Sequence, residues 1–423
     1  MSGEKILISS DSIVGPTGFA TNARTIAWAL AKDYEVHVLG LQSIDTQRVK
    51  IGIHGDQREV IQHANYPRGP GRWDFGARSL PPLLDQLKPD VLLTVNDIQM
   101  ISHIPGILYP NTINLKAMDL PSRKLVSEDA LRLDMEAQVQ KFKERYPLDM
   151  KWILLGPQDG EPPMPQWNNI YGVADQVVAM AKYGQQIFKQ FYGIDCPYIY
   201  HAIDTELFDN REKPLFQDKF VIGNFNRNQP RKQPVRCIKA FAKFAHDKND
   251  VLLHMQQDWN DQFGWPLDYF GRLYGCLNKM LQPKQVGMPR EEVANTYNCW
   301  DINVTPTGGE GFGLCEIEGM SCGLPNVVTD YTTSRELTIE GKPSPRGYLV
   351  PYKELYWEKM DVAAVQRSAI DVDELAKAFQ FYYDNRELCI KHGENAREWT
   401  AKHCSINTIQ KRWQKLVKDT LNK

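Results

Sequence analysis

Short, nearly continuous apolar runs recur along this chain, each followed by a longer amphipathic stretch, and they narrow its fold more than any other feature. Lys5-Ile6-Leu7-Ile8-Ser9 is the first, followed by runs at 36–39, 91–95, 152–155 and 176–180. A strand covered by helices on both faces has no polar side to show. Continuous apolar runs therefore point to parallel strands buried in a doubly wound α/β sheet. Between 197 and 218 the periodicity lapses, with Pro197, Asp204, Asn210-Arg211 and Pro214 marking a linker. A second set then begins at 220–225 and continues at 251–254, 302–304, 326–328 and 348–350, before a helical tail from about Asp371. The reading is two Rossmann-like doubly wound domains, 1–200 and 201–399, facing a central cleft.

Composition removes several alternatives. The chain has 423 residues, 42% apolar and 24% charged, which is ordinary for a globular protein. Lys+Arg 50 against Asp+Glu 52 leaves a net charge of −2, so bulk charge announces no polyanion partner. Eight cysteines without CxxC spacing fit neither a disulfide framework nor a thiolate zinc site. No run approaches the ~18 apolar residues a membrane span needs. The start, MSGEKILISSDS, reads as a strand rather than a signal peptide. A cytoplasmic protein with reduced thiols is expected.

Two loops carry the chemistry. The first, Thr307-Gly308-Gly309-Glu310-Gly311-Phe312-Gly313-Leu314, follows a strand and opens a helix that continues through Glu318. Its glycines let backbone N–H groups approach a ligand, and the helix N-terminus favours anionic groups. Glu310 and Glu318 are spaced to accept hydrogen bonds from a hydroxyl-rich ligand on nearly one side. A Gly-rich turn with solvated carboxylates is the plainer alternative. The second loop, Gly223-Asn224-Phe225-Asn226-Arg227-Asn228-Gln229-Pro230-Arg231-Lys232, follows the first strand of the second domain. There Arg227 and Lys232 sit where open α/β folds bind ligands, able to neutralise a diphosphate leaving group as a metal would. No GxGxxG follows the first strand, which speaks against a dinucleotide-dependent oxidoreductase.

Together these loops resemble the family-four retaining glycosyltransferases of the GT-B fold, over nearly the whole chain. Glu310 and Glu318 look like that family's E-x7-E motif in the setting EGFGLCEIEGMSCGLPNVVTD, and Arg227 and Lys232 match its Arg/Lys pair. His201-Ala202-Ile203-Asp204-Thr205-Glu206-Leu207-Phe208 resembles its interdomain stretch, and Val286-Gly287-Met288-Pro289 its nucleotide-base segment. The resemblance implies a retaining, metal-independent transfer of a hexose or related sugar from a UDP- or GDP-sugar co-substrate, with no cofactor. It implies that Arg227 and Lys232 hold the diphosphate, that Glu318 takes ribose hydroxyls, and that Glu310 faces the donor sugar near Gly311, Phe312, Gly313 and Leu314. Val286 and Met288 would flank the base, and Gly18, in the turn Gly15-Pro16-Thr17-Gly18, would approach the diphosphate from the first domain. The last helix, about 400–423, would cross back over that domain.

The family often carries a His-Asp pair near the acceptor. Here Gln158 stands in place of the histidine, and Asp159 is expected to orient the acceptor hydroxyl, with Asp119 as a competitor. Arg68, Arg72 and Trp73, with Arg123 nearby, combine basic and aromatic side chains that suit an anionic glycan or an extruded nucleic-acid base. The acceptor is thus left open between a glycan, a small molecule and a hydroxymethylated DNA base, as in phage-type DNA glycosyltransferases. A non-catalytic nucleotide-sugar binding protein is a remote alternative. Oligomeric state is unassigned.

Overall fold

A computed structural model describes residues 3–65, 74–108, 150–283, 285, 287–339, 345–360 and 363–423. Arg68, Arg72, Trp73, Asp119, Arg123 and Val286 lie outside them.

The first sheet is built from β1 (Lys5–Ser10), β2 (Glu35–Gly40), β3 (Gln47–Ile53), β4 (Asp56–His63), β5 (Val91–Val95), β6 (Lys151–Gly156) and β7 (Gln176–Ala179). Their order is β3-β4-β2-β1-β5-β6-β7, parallel except for the β3–β4 pair at one edge. The second sheet contains β8 (Phe220–Phe225), β9 (Val251–Gln256), β10 (Met280–Leu281), β11 (Ile302–Thr305), β12 (Asn326–Thr329) and β13 (Gly347–Val350). It is wholly parallel, in the order β10-β9-β8-β11-β12-β13. In each sheet the strand order turns back beside its first strand, between β1 and β5 and between β8 and β11. Such switch points leave a crevice at the carboxyl ends of the strands.

The apolar runs behave as buried parallel strands should: Ile6, Leu7 and Ile8 of β1 and Phe220, Val221 and Ile222 of β8 are fully buried. Each sheet has a core on both faces. One of these cores is continuous across the halves, joining Ile8, Val38 and Val178 to Tyr200, Phe208, Trp300, Phe312 and Met320. After β7 comes the helix Lys182–Tyr192, and between that helix and β8 there are only isolated bridges, from Tyr198 to Ala179 and from Ile203 to Ser405.

The tail from Asp371 is three helices, Val372–Asp384, Arg386–His403 and Ile406–Leu421. Asp371 caps the first, accepting from the N–H groups of Asp373 and Glu374. The last lies against the helix Gly18–Leu30, with Trp413 and Val417 in the shared core and Gln414 donating to Asp33 at 2.6 Å. Two further strands, β14 (Tyr352–Met360) and β15 (Ala363–Ile370), form an antiparallel hairpin that belongs to neither sheet. All eight cysteines are free, seven of them buried. Among the described residues no helix is long and apolar enough to cross a membrane.

Candidate functional site

At the switch point of the second sheet, β8 and β11 run side by side and their loops are tied together. The loop after β8 is fixed by Asn228, whose amide donates to the carbonyls of Asp258 and Trp265 and accepts from the Trp265 N–H at 3.0 Å. It closes in the short 3₁₀ turn Pro230–Lys232 and then opens the helix Pro234–Phe244. That turn aims Arg231 and Lys232 into the protein. The Gly308 N–H donates to the Arg231 carbonyl at 2.7 Å, and the Arg231 guanidinium returns a bond to the Gly309 carbonyl at 2.6 Å.

Glu310 is the focus of this pair of loops. Its carboxylate is ion-paired with Lys232 and lies 3.4 Å from Arg231. Burial alone would raise its pKa, but the charges of Lys232 and Arg231 outweigh burial and hold it at about 2. Arg227 is placed differently. Its side chain is 61% exposed, with Nε 3.5 Å from Asp261, so the structure brings Lys232 but not Arg227 onto Glu310. The cation beside Lys232 is Arg231, which spacing alone had not singled out.

Glu318 sits in the helix Leu314–Ser321, buried, with Arg290 donating to Oε1 at 2.5 Å and the Tyr297 hydroxyl to Oε2 at 2.9 Å. Each carboxylate oxygen therefore keeps a further lone pair for a ligand hydroxyl. Between the two glutamates lies Glu316, fully buried and bonded by the Ser334 hydroxyl at 2.6 Å. Burial, then the charge of Glu310, pushes its carboxyl up to about 8, so it carries a proton at neutral pH. Phe312 packs into the core, its ring 4.5 Å from His201 and 5.6 Å from Tyr200, while its backbone stays in the loop with Gly311, Gly313 and Leu314. Met288 packs partly buried beside Gln256.

The facing wall comes from the first sheet. In the aligned register of β1, β5 and β6, Ser10 stands beside Val95 and Val95 beside Leu155. Asp11, Asp97 and Asp159 follow these three strand ends in order along the rim. Asp11 is occupied in holding the first turn, accepting from Thr17 at 2.6 Å and Gln42 at 2.7 Å. Thr17 caps the helix that begins at Gly18, and Arg24 pins the turn by donating to the carbonyls of Ile13 and Gly15. Burial, and then the charge of Arg290, lower the pKa of the Arg24 guanidinium.

Asp97 has its carboxyl raised to about 6 by burial and by the charge of Asp159, against the opposing pull of Arg231 and Arg367. Asp159 is bound by Arg367 of the hairpin, Nη1 to Oδ2 at 3.0 Å. Gln158, standing where a histidine is common, is buried and donates to the Tyr171 hydroxyl at 2.9 Å. It serves the first domain's core and leaves Asp159 as the polar group of that loop facing the cleft.

Among the described residues no group of three or more His, Cys, Asp or Glu side chains is arranged to hold a metal ion. What is assembled is a set of fixed cations opposite carboxylates: Arg231, Lys232 and Arg367 against Glu310, Asp159, Glu358 and Asp97. Such a site can neutralise a leaving anion with the first group and receive hydroxyl hydrogen bonds with the second. Arg231, Arg290, Arg367 and Asp97 were missed by sequence reasoning. Only Asp97 had a local signal, as the acid that follows the apolar run 91–95 at a strand's carboxyl end.

Residues 207–399 match the family model described as Glycosyl transferases group 1. No curated protein sequence matches the chain. Among solved structures it is similar to the sucrose-phosphate synthase of Thermosynechococcus elongatus, with a TM-score of 0.71 at 14% identity, covering 99% of this chain and 98% of that one. It is also similar to HepE of Anabaena in complex with UDP and glucose (TM-score 0.66, 15% identity, 98% and 100% covered). A glycosyltransferase from Rickettsia africae ESF-5 gives 0.64 at 13% identity, with 100% and 99% covered. At these identities the likeness is one of fold, over the full length of each.

Proposed function

From the premise of a GT-B fold whose residues 207–399 match the group 1 glycosyl transferases, we propose that this chain is a retaining, metal-independent hexosyltransferase using a UDP- or GDP-sugar. The observation that carries the reading is the cationic turn at the second switch point. Arg227, Arg231 and Lys232 lie within six residues, two of them converging on Glu310. The HepE structures with UDP and with UDP-glucose support a uridine donor first.

In this reading the donor diphosphate lies over the loop 226–232. Lys232 exchanges its bond to Glu310 for one to the diphosphate, and Arg227, exposed and loosely paired, folds onto it. Glu318, fixed by Arg290 and Tyr297, accepts from the ribose hydroxyls. The bond between the sugar C1 and the β-phosphate oxygen breaks while the acceptor oxygen bonds to C1 on the same face. The acceptor proton passes to the departing phosphate oxygen, and Lys232 stabilises the charge on the nucleoside diphosphate. Glu310, still 3.4 Å from Arg231, faces the sugar as positive charge develops there.

The test is direct. A matched nucleoside diphosphate at 100 times its dissociation constant should stabilise the fold by about 2.7 kcal/mol, so UDP, GDP and ADP are compared by melting temperature. The product anomer is then read by proton NMR. An inverted anomer overturns the retaining mechanism, and no shift with any nucleotide overturns the donor site.

A further inference from the structure

The hairpin β14–β15 leaves the second domain after β13, reaches the loop that carries Asp159, and returns to the helix Val372–Asp384. On one side it is stitched to the donor loops. The Ser368 N–H donates to the Gly308 carbonyl at 3.0 Å, and the Gln233 amide to the Ser368 carbonyl at 2.7 Å. On the other side it presses on the first domain so closely that a Cβ at Gly160 would lie 2.5 Å from Val365 Cγ1 and 2.6 Å from the Gln366 carbonyl oxygen. A Cβ at Gly309 would lie 2.1 Å from the Asp159 carbonyl oxygen. These two glycines are therefore where backbones from the two halves meet, on either side of the hairpin.

Arg367 of β15 spans that meeting point. Its side chain is 2% exposed, with Nη1 on the Asp159 carbonyl at 2.7 Å and on Asp159 Oδ2 at 3.0 Å, and Nε on Glu358 Oε2 at 2.9 Å. Register places Tyr356 opposite Arg367 and Glu358 opposite Val365, so these four share the face turned to Asp159. The Asp159 side chain is 33% exposed, so the guanidinium is enclosed while the carboxylate it holds still reaches solvent.

We propose, resting on the glycosyltransferase reading above, that this hairpin is the acceptor wall of the cleft. Arg367 is its positioning residue, and the acceptor is a neutral, polyhydroxylated saccharide. Arg367 fixes Asp159 through its carbonyl and one carboxylate oxygen, and the other oxygen receives the acceptor hydroxyl. With Nε on Glu358 and Nη1 on Asp159, the guanidinium bridges the two acidic residues through different nitrogens, a span that the single ammonium of a lysine could not reproduce.

Charge selects the acceptor class. Once a diphosphate has taken Lys232 and Arg227, the wall retains Arg231 and Arg367 against Glu310, Asp159, Glu358 and Asp97. An anionic acceptor would meet repulsion, whereas sugar hydroxyls donate to carboxylates.

The experiment uses the full chain with a nucleotide sugar and three acceptor probes: methyl hexopyranosides, hexose 6-phosphates and DNA containing hydroxymethylcytosine. Transfer should go to the methyl hexopyranosides. Arg367→Lys should raise the acceptor KM at least tenfold, a larger change than any in the nucleoside diphosphate Kd. Glu358→Gln, which keeps a hydrogen-bond acceptor beside Arg367, should shift acceptor KM the same way by less, and serves if Arg367→Lys folds poorly. Transfer confined to the phosphates or the DNA overturns the acceptor class. So does donor hydrolysis by the wild type without transfer to any probe. A variant that melts lower yet keeps the wild-type acceptor KM makes Arg367 a strut between domains and overturns its positioning role. If the wild type neither binds nor consumes any nucleotide sugar, the glycosyltransferase reading itself fails, an outcome separable from the others.

Discussion

Replacing Lys232 by methionine removes one half of a buried ion pair while keeping most of the side-chain volume. Lys232 and Glu310 are 13% and 9% exposed, so the remaining carboxylate cannot simply turn to water. Stranding a buried charge typically costs about 3–5 kcal/mol. Here Arg231, 3.4 Å from the same oxygen, still offsets part of the field, which reduces the expected loss to about 2 kcal/mol. Lys232→Met/Glu310→Gln removes the stranded charge and should recover stability to within about 1 kcal/mol of wild type. Activity should not follow stability. Losing a cation from the departing diphosphate should lower turnover by about 10²–10³-fold in both variants, as for a missing transition-state donor. Urea denaturation read by tryptophan fluorescence gives the first quantity, and the rate of nucleoside diphosphate release gives the second. If the single variant is as stable as wild type, or the double is no better than the single, the electrostatic account of this loop is wrong. Near-wild-type turnover in either variant removes Lys232 from the reaction.

Arg227→Ala should leave unfolding free energy within about 0.5 kcal/mol of wild type, because the side chain is mostly exposed. It should weaken UDP or GDP binding by about tenfold in calorimetry, since the diphosphate then lacks one charge-assisted hydrogen bond. Glu310 has a folded pKa near 2 against an ordinary 4.5, so its stabilising contribution is full above pH 4.5 and is lost as pH falls toward 2. Acid titration of stability should accordingly be shallower across that window in Glu310→Gln. Asp97 runs the other way. With a folded pKa near 6 against 3.8, its contribution is full below 3.8 and is lost as pH rises through 6. Asp97→Asn should flatten stability between pH 4 and 7, and an unchanged pH profile would place that carboxyl elsewhere.

The central strands were legible because parallel strands buried on both faces are written as continuous apolar runs. Nothing distant is needed to recognise 91–95 or 220–225. The β3–β4 edge was not, because Gln47–Ile53 alternates exposed Arg48 and Lys50 with apolar positions too weakly to stand out from a loop. The β14–β15 hairpin was missed for a related reason. Tyr352, Leu355 and Trp357 are exposed on its outer strand, so its apolar pattern does not track burial.

At the site, residues that act through local spacing could be found. Glu310 and Lys232 lie on loops whose position after a strand is itself the signal, and Glu318 on the helix that the first of those loops opens. Which of Arg227 and Arg231 turns inward depends on the turn Pro230–Lys232, a backbone detail that residue spacing does not encode. Arg290 and Arg367 reach their carboxylates from distant chain segments, Arg367 from 208 residues away. Tertiary structure alone brings them there.

The central claim is that this cleft binds a nucleotide sugar and transfers its hexose. It is tested most directly by following nucleoside diphosphate release from UDP-, GDP- and ADP-sugars, wild type beside Lys232→Met, each under identical conditions. The account predicts release from at least one uridine or guanosine donor by the wild type, and a fall of at least ~10²-fold in the variant. No release from any donor, or equal release by both proteins, would contradict it.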